Sequence, residues 1–252
     1  MSPKRPKTIL RHVIPPVFWL GVWQLAALSV GADLLLPSPL SVLRVLGELI
    51  LQPLFWQSAG LSLLRIFLGM LSGTVLGAGL ALLTSAWAWA DLILSPAIRV
   101  VRATPVVSFI LLLWLWISRT NVPSVISALM VLPVVWGNVT KGIAQTDPLL
   151  LEFARAYRFG RWKTLRLVYV PSVLPYFASG VNTAMGLAWK SGVAAEVICL
   201  PRMAIGTQVY YAKLYLETPS LFAWTAAVIV LSFCLERLVA RLLRRAGREA
   251  AV

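Results

Sequence analysis

Apolar runs of up to about 25 residues, separated by short cationic stretches, recur along this chain and leave few folds open to it. They cover Val13–Val30, Leu61–Ser85, Val106–Ile117, Asn121–Trp136, Ser172–Val197 and Ala223–Leu243. About twenty helical residues match the hydrocarbon thickness of a bilayer. Lipid cannot satisfy backbone polar groups, so runs this long read as helices. Hydrophobic residues make up 59% of the 252-residue chain and charged residues 13%, which is too apolar for a soluble domain. The chain reads as an all-α polytopic membrane protein with about six transmembrane helices. The spans are expected at approximately 13–31, 61–85, 92–118, 122–142, 172–197 and 220–243, in a single transmembrane domain over residues 1–252.

A formal net charge of +14 raises nucleic acid as a partner, but the cations cluster beside apolar runs, as cytoplasmic retention of basic loops predicts. The lipid bilayer is the expected partner, and no nucleic acid. With six spans and the amino terminus inside, fifteen of the 23 Lys and Arg residues fall on inner segments. Five (Arg44, Arg65, Arg119, Arg202 and Lys213) fall on outer ones; of the other three, Arg99 and Arg102 are expected near the cytoplasmic headgroups and Lys190 within a span. This bias places both termini in the cytoplasm, together with the basic stretch Glu152–Pro171. The single histidine, His12, reads as a solvated interfacial residue, and no metal site is expected. Cys199 and Cys234 make neither a disulfide framework nor a metal motif.

The first run follows Lys4, Arg5, Lys7 and Arg11. It is longer than a signal-peptide core, lacks a small-x-small cleavage site and starts with Pro15-Pro16, so an uncleaved span is preferred. Residues 37–52 place Val42, Val45, Leu46 and Leu49 at helical spacing, with Ser41 as the expected cap. This is an amphipathic helix on the outer surface, with contact to a delivery protein as the alternative. Gly69, Gly73 and Gly77 line one face of the second span and let another backbone approach. Beyond Asp91 the pattern is interrupted by Pro96, Arg99 and Arg102 and resumes after Pro105. A discontinuous helix fits, because carbonyls freed by Pro105 are tolerated only inside protein or beside a water-filled path. Thr104, Pro105 and Ser108 then either line a translocation route or form a packing kink. The fourth span is expected to kink at Pro133.

Glu152–Pro171 is a basic, helix-length segment wedged between two apolar runs. Ala154 and Ala156 favour helix, Gly160 is expected to break it after about two turns, and a second amphipathic piece runs to a stop at Pro171. Arg155, Arg158, Arg161, Lys163 and Arg166 surround it. A short helix, a bend and a cationic flank make a docking surface for a soluble partner.

This stretch resembles the cytoplasmic coupling loop of ABC-importer permeases, whose pattern is Glu-Ala-Ala, three residues, Gly, nine residues, Ile, one residue, Leu-Pro. Glu152 and Ala154 match, Phe153 replaces an Ala, Val168 and Val170 replace Ile and Leu, and Pro171 closes the motif. The motif Gly falls on Arg158, and Gly160 arrives two residues late. The resemblance runs from about Ser62 to Arg245. It is nearest to the aliphatic sulfonate, taurine and nitrate branch, through Arg102-Ala-Thr-Pro105-Val-Val, Asp147-Pro148 and Ala195-Glu196. It implies a type I ABC-importer permease fold in the bacterial inner membrane, with a coupling loop over 147–171. Glu152, Phe153, Ala154, Arg155, Ala156, Tyr157, Arg158, Phe159 and Gly160 would contact an ATPase dimer that binds ATP and Mg, while the permease binds no cofactor. A second permease copy and an extracytoplasmic solute-binding protein complete the assembly that the resemblance implies. The substrate class implied is a small anion such as a sulfonate, taurine or nitrate, with vitamin precursors and aromatic compounds as alternatives. Glu196, where that branch carries Glu, is expected at the outer mouth of the cavity.

Lys190, in Trp189-Lys190-Ser191-Gly192, is a charge near the middle of a span. An ammonium there costs about 2.5–3.5 kcal/mol on insertion scales, so it should face the bundle interior and have a partner. Glu196, six residues on, lies on another helix face. Lys190 either supplies positive potential to a solute in a cavity that Thr183 and Ser191 help line, or pairs with Glu196 of a second copy or snorkels to an interface. No phosphate loop, His-Glu-x-x-His or nucleophile elbow occurs, so the chain reads as a transport subunit and not an enzyme. An ion-driven secondary carrier would need paired intramembrane acids or inverted repeats, and neither is evident. A membrane scaffold or sensor accounts for the spans and leaves the basic loop unexplained.

Overall fold

A computed structural model describes residues 7–249, with side-chain environments from Ile14 to Arg241. The side chains of Lys4, Arg5, His12, Arg244, Arg245 and Arg248 lie outside that description. The described residues form helices and no strand: α1 (Lys7–Val30), α2 (Pro39–Ile50), α3 (Pro53–Ala86), α4 (Ala88–Ala103), α5 (Val106–Trp114), α6 (Val122–Ala144), α7 (Pro148–Ala156), α8 (Arg161–Thr164), a π-helical turn (Leu165–Tyr169), α9 (Val170–Cys199), α10 (Ile205–Leu214) and α11 (Thr218–Glu249).

Three of these are each long and apolar enough to cross a bilayer unaided: Pro53–Ala86, Val122–Ala144 and Thr218–Arg241. The pair α4 and α5, bent by 103° across Thr104–Pro105, makes a fourth when counted as one broken span. The sequence pattern predicts about six. The described apolar part of α1 is the shorter Ile14–Val30. The 30 residues of α9 include Ser179, Asn182, Thr183, Lys190, Ser191 and Glu196, which lower its hydropathy. A helix packed among its neighbours needs no apolar exterior of its own.

The core is the stack of α3, α6 and α9, built around Ile66 and Met70 of α3, Val131 and Val135 of α6, and Met185 and Trp189 of α9. The glycine stripe of α3 faces α6 turn for turn. A Cβ on Gly73 would stand 2.5 Å from the Ala128 carbonyl oxygen, one on Gly77 2.6 Å from that of Leu132, and Gly69 meets Ser124 in the same manner. Lipid supplies no hydrophobic drive between helices, so close backbone approach and the dispersion contacts it permits hold the stack together.

Several boundaries differ from the sequence expectation, each for a local reason. The second span begins at Pro53, not near Leu61, because Pro53 occupies the first turn, where its missing N–H is harmless. Ser38, not Ser41, caps α2: its side chain accepts from the Ser41 amide at 3.1 Å, and Pro39 starts the helix. Pro171 does not stop the chain. The π turn lets the Val170 amide reach back to the Leu165 carbonyl, and this wider turn admits the Pro171 ring into the first turn of α9.

Gly73→Ala is expected to push α3 away from Ala128 and destabilise the protein by about 1–3 kcal/mol. Gly79→Ala, which meets nothing within 4 Å, is expected to be neutral or slightly stabilising. Thermal unfolding of both variants in detergent checks the contrast.

Candidate functional site

The polar loop between α6 and α9 builds an outward-facing helix. Asp147 starts α7, its carboxylate accepting from the Leu149 amide at 2.8 Å, and Pro148 fills the first turn. At the other end the Arg158 amide donates to the Arg155 carbonyl (2.9 Å) and the Phe159 amide to the Ala154 carbonyl (2.8 Å). These two bonds are those of a Schellman cap. Its left-handed position is Arg158, with φ 50°, so the helix ends at the motif glycine's place even though an arginine stands there. The sequence predicts the break at Gly160, but the helix has already ended before it; Gly160 has φ −63° and begins α8. The cap is supported by its apolar partner, since Phe159 meets Phe153 edge-on with ring centroids 6.1 Å apart.

This geometry divides the expected coupling residues between two faces. Ala154 is buried, while Glu152, Phe153, Arg155, Ala156, Tyr157, Arg158 and Gly160 are exposed and Phe159 is half-buried. Leu149, Phe153 and Tyr157, four residues apart, form an apolar stripe that is 70%, 52% and 67% exposed. Phe153 and Tyr157 are in ring contact at 4.3 Å. Lys163 lies over the Phe159 ring at 4.4 Å, close enough for a cation–π contact.

A second group lies along α9. Ser179, Asn182, Thr183 and Lys190 are exposed at helical spacing on one face, and no ion pair reaches Lys190 among the described residues. Ser191 is on the packed side, its hydroxyl donating to the carbonyl of Leu187 at 2.7 Å. The bend in span three is held beside the same helix: Val106, Phe109 and Ile110 of α5 pack with Ala194, Ala195 and Ile198 of α9. Ser108 and Pro105 are exposed there, whereas Thr104 is half-buried and its hydroxyl turns back to the Val100 carbonyl at 2.8 Å.

Glu196 stands apart from this face. It is fully buried, and its Oε2 accepts from the Ser62 hydroxyl (2.8 Å) and the Gly206 amide (3.1 Å) at the start of α10. The Ile205 amide donates to Ser62 Oγ at 3.0 Å. Arg65 lies 3.8 Å from Oε1 and donates to the carbonyls of Arg202 (3.1 Å) and Met203 (3.3 Å). Glu196 therefore ties α3, α9 and α10 together inside one chain. The alternative in which it pairs with Lys190 of a second copy is set aside, because its carboxylate is fully buried within this chain.

Residues 73–248 match the family model for the inner membrane component of binding-protein-dependent transport systems. The chain belongs to that family. An aliphatic sulfonates transport permease of Bacillus subtilis is 27% identical over 216 residues, covering 85% of this chain and 78% of the relative. The taurine transport system permease of Escherichia coli is 26% identical over 230 residues, covering 88% and 83%. A crystal structure of an amino acid ABC transporter shares the fold, with a TM-score of 0.62, 21% identity and coverage of 78% of this chain and 94% of that one. The chain is thus a multi-pass inner-membrane ABC permease, a transport component that works with ATPase and solute-binding partners.

Sequence reasoning missed two parts of this permease's architecture. The Ser62–Arg65 pair was legible as two polar residues three apart in an apolar helix, which points to a buried partner, but Arg65 read as an outer-segment charge. Leu149 lay before the motif and carried no signal of its own. Glu196→Ala is expected to lower the unfolding temperature of the permease sharply, because the Ser62 hydroxyl and the Gly206 amide each lose an acceptor at about 1–3 kcal/mol. Glu196→Gln, which keeps one oxygen, is expected to fall between the two. Equal unfolding temperatures for all three proteins in detergent would remove the structural role of this carboxylate.

Proposed function

We propose that this permease carries a small anion along a path bordered by α9 and the Pro105 bend, and that α7 is the surface through which an ATPase drives it. The apolar stripe Leu149–Phe153–Tyr157 carries the reading. Three large side chains aligned on a helix outside the spans each leave more than half of their surface exposed, and an apolar face of that kind marks a protein contact. Its rim of Glu152, Arg155 and Arg158 supplies the polar border such contacts have. By this reading the loop and both termini are cytoplasmic. ATP and Mg reside on the ATPase subunits, and the permease contributes no cofactor site. A second permease copy faces the exposed polar side of α9, and a solute-binding protein delivers solute from outside.

Anion transport is supported by Lys190, a cation on the polar face of a span with no neutralising neighbour among the described residues. The sulfonate and taurine names of the two relatives favour the same solute class. Thr183, Ser108 and Pro105 border the path in this reading. Ser191 and Glu196 shape it from behind, through the packing of α9.

Replacing Glu152 or Ala156 by a bulky residue such as Trp is expected to leave the folded permease intact and to uncouple ATP hydrolysis from solute uptake. Copurification of the ATPase with the Phe153→Ala variant is expected to fall at the same time. Unchanged, substrate-stimulated uptake in the bulky variants would reject α7 as the drive surface. For the path, Lys190→Met is expected to reduce uptake of a sulfonate or taurine by tenfold or more while ATPase copurification holds. Full uptake of an anionic solute by that variant would remove the electrostatic role of Lys190.

A further inference from the structure

A cleft of about 500 Å³ opens between α3, α6 and the base of α9. Its wall is almost wholly apolar, formed by residues such as Ala78, Leu82, Val139, Val173 and Phe177. The volume is that of a small-molecule site, yet its lining offers little to orient a polar solute. What distinguishes it from a packing defect is its mouth. Leu165 and Val170 line both this cleft and an adjoining depression formed with Trp162, Lys163 and Arg166. Trp162 is 81% exposed, as suits an indole at headgroup level. Among the described residues, neither Lys163 nor Arg166 has a carboxylate partner.

We propose that this composite cleft binds one anionic phospholipid of the cytoplasmic leaflet, with an acyl chain in the apolar part and the phosphate on Arg166 and Lys163. Charge complementarity selects the occupant. Two cations beside an apolar slot at the foot of a span match a single amphiphile with an anionic head, and they disfavour another basic segment of this strongly cationic chain. The place gives such binding a consequence. The slot is walled by the π turn and the first turns of α9, the link between α7 and the span that carries Lys190, so a lipid seated there holds that link in one arrangement.

The test is native mass spectrometry of the full-length permease in detergent, titrated with phosphatidylglycerol or phosphatidylcholine of matched chains. Phosphatidylglycerol is expected to be retained preferentially. The double variant Lys163→Ala/Arg166→Ala should lose that retention some twentyfold or more, roughly fivefold for each surface cation removed. The charge-keeping pair Lys163→Arg/Arg166→Lys should preserve it, which separates loss of binding from loss of folding. Narrowing the slot with Ala78→Leu should weaken retention with the charges left in place. Equal retention of the two lipids by the unaltered chain, or undiminished phosphatidylglycerol binding by the double alanine variant, overturns the proposal. Efficient disulfide formation between two copies bearing Val173→Cys also overturns it, by giving the cleft to a second copy.

Discussion

At Gly73 the backbone of α3 runs so close to Ala128 of α6 that even a methyl group would collide with its carbonyl oxygen, and the same holds one turn away on each side. On the far side of the stack, a Cβ on Gly192 of α9 would stand 2.6 Å from Ile66 and 2.7 Å from the Ser127 hydroxyl. That hydroxyl in turn donates to the Ala188 carbonyl at 3.1 Å. In lipid, helices gain nothing by hiding apolar surface from one another, so contact density and buried hydrogen bonds must supply the association. The closest approaches in the three-helix stack are therefore made by small or short polar residues, with Ile66, Met70, Met185 and Trp189 filling the space between them, and many of the bulky leucines are left to face outward.

The same constraint explains the junction at Glu196. A carboxyl group with no exposure inside a membrane protein is tolerated only with its partners built in. Here they come from two other elements: Ser62 and Arg65 from α3, and the Gly206 amide in the first turn of α10. The start of a helix supplies unpaired N–H groups that favour an acidic neighbour. Gly206 is required at that point, because a Cβ would stand 2.5 Å from that of Glu196. The short α10 is thus anchored at its first turn, while Tyr211, Lys213 and Tyr215 at its other end are exposed.

Much of this was legible in the sequence because its signals are local. The glycine period in α3, the break at Pro105 and the short helix of the basic loop each follow from backbone chemistry within a few residues. Arg158 was not legible in the same way: only the register of the resemblance pointed to a turn there, while the single-residue signal favoured Gly160. Context overrides that local preference through the Phe159–Phe153 contact and the two capping hydrogen bonds, which hold an arginine at positive φ at a cost of about 1–2 kcal/mol. Glu196 was out of reach for another reason. Its partner Ser62 lies 134 residues away, and only the fold brings them together. The polar face of α9 fell between the two cases. Lys190 was visible, but the separation of Lys190 and Thr183 from Ser191 depends on which face of α9 the other helices cover.

These features make α9 a lever with unequal ends. Its carboxyl-terminal end is fixed, with Glu196 tied to α3 and α10 and Gly192 pressed between Ile66 and Ser127. Its amino-terminal end is entered through a π turn, a wider and less regular hydrogen-bonding pattern than the α-helix on either side. The turn packs against α7 and is connected to it through the four residues of α8. Under the proposed coupling, a push on the Leu149–Phe153–Tyr157 face is delivered at the foot of α9 and resisted at its head. The helix responds by tilting about its upper contacts, since sliding would break the buried bonds of Glu196. Lys190 lies six residues below that carboxylate, between the fixed end and the driven one. A tilt therefore moves the cationic face, while the glycine contacts nearer the pivot stay in register.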